Sequence, residues 1–304
     1  MNLLQKVIIL QFTHGWLIFI LTKFNFTLTK QKGIHIILLN RIGKYSLPLV
    51  VIKEKLLFMI GKKYLTGLIL LALIILSFLA ICSLEEDKAF KLSLEDGIIE
   101  YLSGLFFFMA AMVSFYHFYN FKSDKDKYLF RTGRNYLILL LGLFFLFCAG
   151  EEISWGQRIF GIETPEFMEV ENAQKEFNFH NLYMFQGTDK DMNLKSGLDY
   201  WFTGHKIFAY FWITFCLLIP LASVLSLRFS GFLNRILFPV MPLWLGGLFL
   251  VNHVVSKVCE GMNLFSWPTP IVETKETIFA FLFLVSTIYI YSDHKKLGAK
   301  TSQI

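Results

Sequence analysis

Two adjacent carboxylates, Glu151 and Glu152, close an apolar run that starts at Tyr136, in the string Gly150-Glu151-Glu152-Ile153-Ser154-Trp155-Gly156-Gln157-Arg158. A charge at the centre of a membrane helix costs about 2.5–3.5 kcal/mol and less toward the interface, so such groups persist where partners or water receive them. Other polar residues with chemical capacity recur near apolar segments. His253, Lys257 and Glu260 stand at i, i+4 and i+7, on one helix face. Glu273 with Glu276, and Asp96 with Glu100, are pairs at helical spacing, and His180 and His205 lie between the two pairs in the chain. Clustered carboxylates repel one another and need protons, basic partners or a cation. Histidine with glutamate suits zinc or another first-row divalent ion, whose bound water becomes a nucleophile near neutral pH. The expected metal ligands are therefore Glu152, His180, His253 and Glu260, and the expected catalytic set is Glu151, Glu152 and Gln157, with Glu151 as general base for the water.

Each of these residues also has a purely structural use. Glu151 and Glu152 could pair with Lys206 or Lys257 and lock helices together. A lone His253 is commonly a hydrogen-bonded packing residue, His205 an interfacial anchor, and His180 an exposed loop side chain. Trp155, Trp201 and Trp267 suit an aromatic belt whatever the activity. Gly246-Gly247 reads as a place where helices approach closely rather than a ligand site. His14, His35, His117 and His294 fall on the opposite side or in the N-terminal segment, away from the expected cluster.

The elements that must position these groups are membrane helices. Hydrophobic residues make up 55% of the chain and 34 residues are Phe, a composition of polytopic membrane proteins rather than soluble enzymes. The basic balance, pI about 9.0, forms no nucleic-acid-binding pattern, because the Lys and Arg sit beside hydrophobic segments. Cys82, Cys148, Cys216 and Cys259 have no C-x-x-C spacing and read as apolar fillers. A span takes about 20 apolar residues, and six segments meet or approach that length: Leu65–Ser83, Ile98–Phe118, Tyr136–Ala149 with its continuation, Ile207–Leu227, Ile236–Val255 and Thr277–Ser292. The third is long enough only if its helix runs on through Glu151 and Glu152 toward Trp155.

Loop charges set the expected orientation. Lys62 and Lys63 precede the first span, Lys122, Lys125, Lys127, Arg131 and Arg134 lie between spans two and three, and Arg228 and Arg235 between four and five. Lys295, Lys296 and Lys300 follow the sixth. The 151–205 connection holds ten acidic residues against four basic ones, and Glu85, Glu86 and Asp87 enrich the first connection in acid. The expectation is an all-α, six-span bundle in a bacterial inner membrane, both termini cytoplasmic and the acidic loops outside. In the long loop Thr164-Pro165-Glu166 reads as a helix start, Thr capping and Pro at the first position. Phe167, Val170, Gln174 and Phe177 would then give one face to the membrane as an outer interfacial helix. Residues 1–58 stand apart from the six-span domain 59–304. They read either as an extension upstream of a start at Met59 or as a cytoplasmic interfacial segment. Without an A-x-A-like site, no signal peptide is expected there.

The run Ala149-Gly-Glu-Glu-Ile-Ser-Trp-Gly-Gln-Arg-Ile-Phe-Gly161, with Glu163-Thr164-Pro165 and Asn172-x-Gln174-x-Glu176-x-Asn178-x-His180-Asn181 downstream, resembles a signature of multi-pass bacterial membrane proteins that have no assigned reaction. The resemblance covers 149–181 clearly and the span pattern loosely. It implies that Glu151, Glu152, Trp155, Gln157, His180 and Asn181 belong to one constellation, and it implies no substrate. A more distant analogy is to the alkaline ceramidase and progestin-receptor membrane hydrolases. This chain departs from it in having six spans rather than seven and no H-x-x-x-H in the last.

The leading functional expectation is a metal-dependent hydrolase or transferase, zinc the expected ion, acting on a lipid or lipid-linked substrate at the extracytoplasmic face. A non-enzymatic scaffold or assembly partner is the first alternative. A small cation or proton transporter is the second, although no inverted repeat is evident.

Overall fold

The computed structural model describes the backbone of residues 5–12, 15–22, 27–31, 34–38, 49–94, 97–121 and 133–301, and side chains within 64–294 of that set. The basic stretch 122–132, Asp96, and the side chains of Lys62, Lys63, Lys295, Lys296 and Lys300 lie outside the described residues. The chain divides into two units, Met1–Tyr64 and Leu65–Ile304.

The described strands lie in the first unit. Strands β1 (Gln5–Phe12) and β2 (Gly15–Thr22) pair antiparallel with Gln5 opposite Thr22, and β3 (Thr27–Gln31) and β4 (Ile34–Leu38) form a second hairpin. The apolar stretch Val7–Leu21 is thus folded back on itself as two β-branched-rich strands, which suit a pleated backbone.

In the second unit every described regular element is helical. Helix α1 (Leu49–Cys82) enters it from the first unit, followed by α2 (Glu86–Ser93), α3 (Ile98–Asn120) and α4 (Tyr136–Glu152). The long connection after α4 carries the short helices α5 (Gln157–Phe160), α6 (Glu166–Glu171) and α7 (Gly197–Trp201). Next comes α8 (Gly204–Trp212), continuous through a π-helical turn at Ile213–Leu218 into α9 (Ile219–Leu225). Then follow α10 (Leu227–Arg235), α11 (Leu243–Gly261) and α12 (Thr269–Thr301). Among the described residues three helices are long and apolar enough to cross a membrane: Tyr64–Cys82, Glu86–Asn120 and Gly204–Leu225. The bent pair Tyr136–Glu152 with Ser154–Phe160 makes a fourth if counted as one span. That is fewer than six.

Two boundaries differ from expectation for physical reasons. The segment expected to begin at Ile236 starts as α11 only at Leu243, because Pro239 and Pro242 interrupt the helical backbone before it. It then runs on to Gly261, so Asn252, His253, Lys257 and Glu260 are all helical. The last helix starts at Thr269 rather than Thr277, behind Pro268, so Glu273 and Glu276 occupy its first two turns.

Aromatic side chains fill the core. Helix α3 lies along both α4 and α12, and Phe107, Phe145, Phe249, Phe279 and Phe283 are 3% exposed or less. Their rings meet at 4.8–6.2 Å across α3, α4, α11 and α12. Close approach depends on small residues. A Cβ on Gly142 would lie 2.7 Å from the Phe115 ring, and one on Gly246 only 1.9 Å from the Cys216 carbonyl oxygen. Gly246 therefore lets α11 seat against the π-turn, whereas Gly247 faces open space. At its N-terminus α4 is capped by Asn135, whose Oδ1 accepts from the backbone N–H of Leu137 and Ile138, while its Nδ2 donates to the Leu237 carbonyl at 2.7 Å.

Candidate functional site

The helix carrying the carboxylate pair stops abruptly. Ser154, Trp155 and Gly156 have φ of 44°, 54° and 76°, three successive left-handed residues that bend the chain by 70° into α5. Glycine adopts this conformation freely; Ser and Trp do so at about 1–2 kcal/mol each. Side chains offset that cost. The Trp155 indole folds back over Gly150, where any Cβ would lie 2.9 Å from the ring, and its Nε1 donates to Glu151 Oε1 at 2.7 Å. Ser154 Oγ donates to Glu176 Oε2 at 2.5 Å.

Glu151 is 5% exposed, and the returning loop surrounds its carboxylate. Oε2 accepts from the backbone N–H of Phe179 (2.7 Å) and His180 (2.8 Å), and His180 Nδ1 lies 3.3 Å away. A carboxylate accepts only, so Nδ1 carries the proton in this pair. Among the described residues Nε2 has no hydrogen-bond partner, which leaves it available toward the cavity that His180 lines. Burial acts to lower the His180 pKa, but the hydrogen bond it donates to Glu151, with the charges of Glu152, Glu151 and Glu276, outweighs it and holds the imidazole above the ordinary histidine value.

Around this clasp the loop is braced. Glu176 is 5% exposed and accepts from Ser154, from Asn178 Nδ2 at 2.9 Å and from Arg158. Asn172 Nδ2 donates to Asn178, and Asn181 Nδ2 to Gln174. Gln157 Nε2 donates to Thr164 Oγ1 at 2.5 Å, and its Oε1 accepts from the Phe177 N–H at 2.6 Å. Gln157 is absent from the cavity wall. Its geometry gives it a bracing role rather than the catalytic one expected from its place in the motif. Thr164 likewise serves the loop, donating to the Lys175 carbonyl at 2.8 Å, and does not cap α6. The helix it was expected to start runs only from Glu166 to Glu171.

A cavity of about 620 Å³ opens beside the clasp. Its interior is aromatic, with Phe107, Phe144, Phe147, Phe208 and Phe211 in the wall, and its polar end gathers Glu100, Glu151, Glu152, Glu273 and Glu276 with His180 and His205. Among the described residues no Lys or Arg lines it. His205 Nδ1 and Lys275 Nζ each lie 3.6 Å from Glu276 Oε1. Elements far apart in sequence thus meet here: the starts of α3, α8 and α12, the end of α4, and the loop at 179–181.

The expected metal set is not assembled. His253 and Glu260 are absent from this wall. The His253 ring packs on Trp212 at 5.6 Å, and both Glu260 oxygens are engaged, by Ser256 at 2.9 Å and Lys257 at 2.6 Å. Neither residue reaches the cavity wall, which periodicity along one helix could not reveal. Among the described residues no three His, Cys, Asp or Glu side chains are arranged to share an ion. Two features were not legible beforehand: the backbone amides at 179 and 180 as donors to Glu151, and the phenylalanines as the wall. Asn178 and Asn181 belonged to the same motif, so their spacing was the available signal. Comparison with family models, with curated proteins and with solved structures gives no match.

Proposed function

We propose that this protein is a membrane-embedded hydrolase or transferase that acts on a lipid-like substrate at the extracytoplasmic face of the inner membrane. The observation that carries the reading is the Glu151–His180 pair at the edge of a cavity with an aromatic interior and a polar end. A volume near 620 Å³ falls in the usual range for small-molecule sites, roughly 300–1,000 Å³. An amphiphile would place its apolar part among the phenylalanines and its polar bond beside His180 and Glu152.

In this reading His180 is the general base. Glu151 holds Nδ1–H and stabilises the imidazolium, so that Nε2 can take a proton from an attacking water or hydroxyl and return it to the leaving group. Glu151 is then a positioning residue, fixed in turn by Trp155 and two backbone amides. Glu152, facing the cavity, binds the polar end of the substrate together with Glu100, Glu273 and Glu276. The excess of carboxylates over cations at this end, where Lys275 lies 3.6 Å from Glu276, disfavours an anionic headgroup unless a cation accompanies it. Zinc or another divalent ion at His180 and Glu152 would need side chains to move before a third donor joined them, whereas proton transfer needs no rearrangement. The proposal therefore rests on the pair rather than on a metal. Six spans, cytoplasmic termini and outward acidic loops are part of the same proposal, supported by the loop charges and by the gathering of the polar groups at one end of α4, α8 and α12.

The test is conversion of a reconstituted total bacterial lipid extract, followed by mass spectrometry. Removing a general base costs about 10²–10⁴-fold in rate. The His180→Gln protein should lose activity on that scale while remaining folded, and a chelator should leave the wild type active. A lipid profile identical with and without protein would remove the enzyme reading. A non-enzymatic scaffold would then stand. It is supported by the exposed apolar side chains of the outer loop, among them Phe160 (75%), Phe167 (65%) and Leu198 (77%).

A further inference from the structure

Acid–base chemistry at the polar end does not account for the shape of the apolar end. Helix α4 lies along α3, but among the described residues no comparable packing joins α4 to α8. The two helices meet through a ring pair, Phe144 and Phe211, with centroids 4.4 Å apart, while Phe147 of α4 stacks on Phe179 of the loop at 6.3 Å. Along α4 the exposed stripe Leu140, Leu143, Phe147 runs into wall residues Phe144, Phe147 and Cys148. Along α8 the exposed residues Tyr210 and Ile207 adjoin wall residues Ile207, Phe208 and Phe211. Each helix therefore presents one apolar face that begins on the outside of the bundle and ends in the cavity. Immediately below the seam the π-turn Ile213–Leu218 interrupts regular α-helical bonding, as such turns often do beside functional sites.

We propose that the hydrocarbon chain of a bilayer lipid enters the cavity sideways through the α4–α8 seam, with Phe144 and Phe211 as its closing pair. The inference rests on the lipid-like substrate reading above and supplies the route. The occupant is a hydrocarbon chain because Phe144, Phe147, Cys148, Ile207, Phe208 and Phe211 offer a peptide no hydrogen bond for its backbone, which would be costly to bury unpaired. Continuity with the lipid-facing surface provides such a chain at high local concentration. Entry from the side also brings the polar end of the molecule to the level of His180 without taking its tail through water.

The full-length protein in phosphatidylcholine vesicles, doped with phosphatidylcholine bearing a diazirine near the end of one acyl chain, provides the test. After illumination and digestion, adducts are mapped by mass spectrometry. Adducts are expected on outward Leu140 and Tyr210, and also on Phe107, which lines the cavity yet is only 3% exposed. Phe144→Ala should raise the Phe107 yield about tenfold, equivalent to about 1.4 kcal/mol of seal removed. Cys148→Trp, which fills the cavity, should lower it and spare Leu140. Labelling confined to outward residues, or a Phe107 yield unmoved in both variants, overturns the seam whether or not the protein turns over lipid. Phe107 labelling that responds to both variants, in a protein with no turnover, upholds the seam and removes the enzyme reading instead.

Discussion

Two carboxylates adjacent in sequence have opposite situations. Glu151 is enclosed by four donor contacts, from Trp155, Phe179 and His180, while Glu152 looks into the cavity toward other carboxylates. Composition and spacing marked the pair as costly, and so worth a partner, but could not divide the roles. That division depends on backbone amides 28 and 29 residues away, which no local pattern encodes. Two expectations follow. In a histidine-labelled NMR titration, Glu151→Gln should bring the His180 pKa down toward the free value of about 6.5, since the largest raising influence is removed. The linkage has a definite sign. A raised folded pKa stabilises the fold fully below the unfolded value and loses that stabilisation as pH rises through the folded value. The melting-temperature gap between wild type and His180→Gln should accordingly be wider at pH 5.5 than at pH 9, in whole-protein thermal unfolding at those two values, roughly one to three units either side of the free pKa. With 47% of the imidazole side chain accessible, solvent screens the pair, so the gap is expected to be small. A gap that widens with pH contradicts the assigned pairing.

Among the elements, the 70° break after α4 is the device that turns a helix end into a site. It directs the chain outward so that the loop can return over Glu151, and the buried Glu176 fastens the return. Removing an acceptor that serves Ser154, Asn178 and Arg158 leaves three donors without it; Glu176→Ala should cost on the order of 3 kcal/mol and release the clasp. Hydrogen exchange at Phe179 and His180 would report that release directly, and unchanged protection there would contradict it. The α11 glycines make a paired comparison. Gly246→Ala should destabilise by about 3 kcal/mol or more, because its Cβ meets the Cys216 carbonyl, while Gly247→Ala should be neutral or slightly stabilising through helix propensity. Thermal unfolding in detergent distinguishes the two. Hydropathy located most helices, because apolar length is a composition signal. It missed their ends by seven and eight residues at α11 and α12, where proline position rather than apolarity decides.

At the scale of the molecule, the arrangement places one polar cluster at a single end of an aromatic bundle, and its orientation in the bilayer decides what it can meet. Loop charge could be read from sequence because it acts before folding is complete and needs no partner. The cavity could not, since its wall is assembled from α3, α4, α8, α12 and the loop, and no one segment carries its outline. If the acidic side is extracytoplasmic, a cysteine at Ser196, at the end of the largely exposed 187–196 connection, should react with a membrane-impermeant maleimide on intact cells. A cysteine at Gly231 of α10, which has open space around it, should react only after the membrane is opened. Background should be low, because Cys216 and Cys259 are buried and Cys82 and Cys148 are half-buried. The opposite labelling pattern would place His180 and Glu152 on the cytoplasmic side. The lipid pool and the pH they meet would then be those of the inner leaflet, and the proposed substrate would have to come from there.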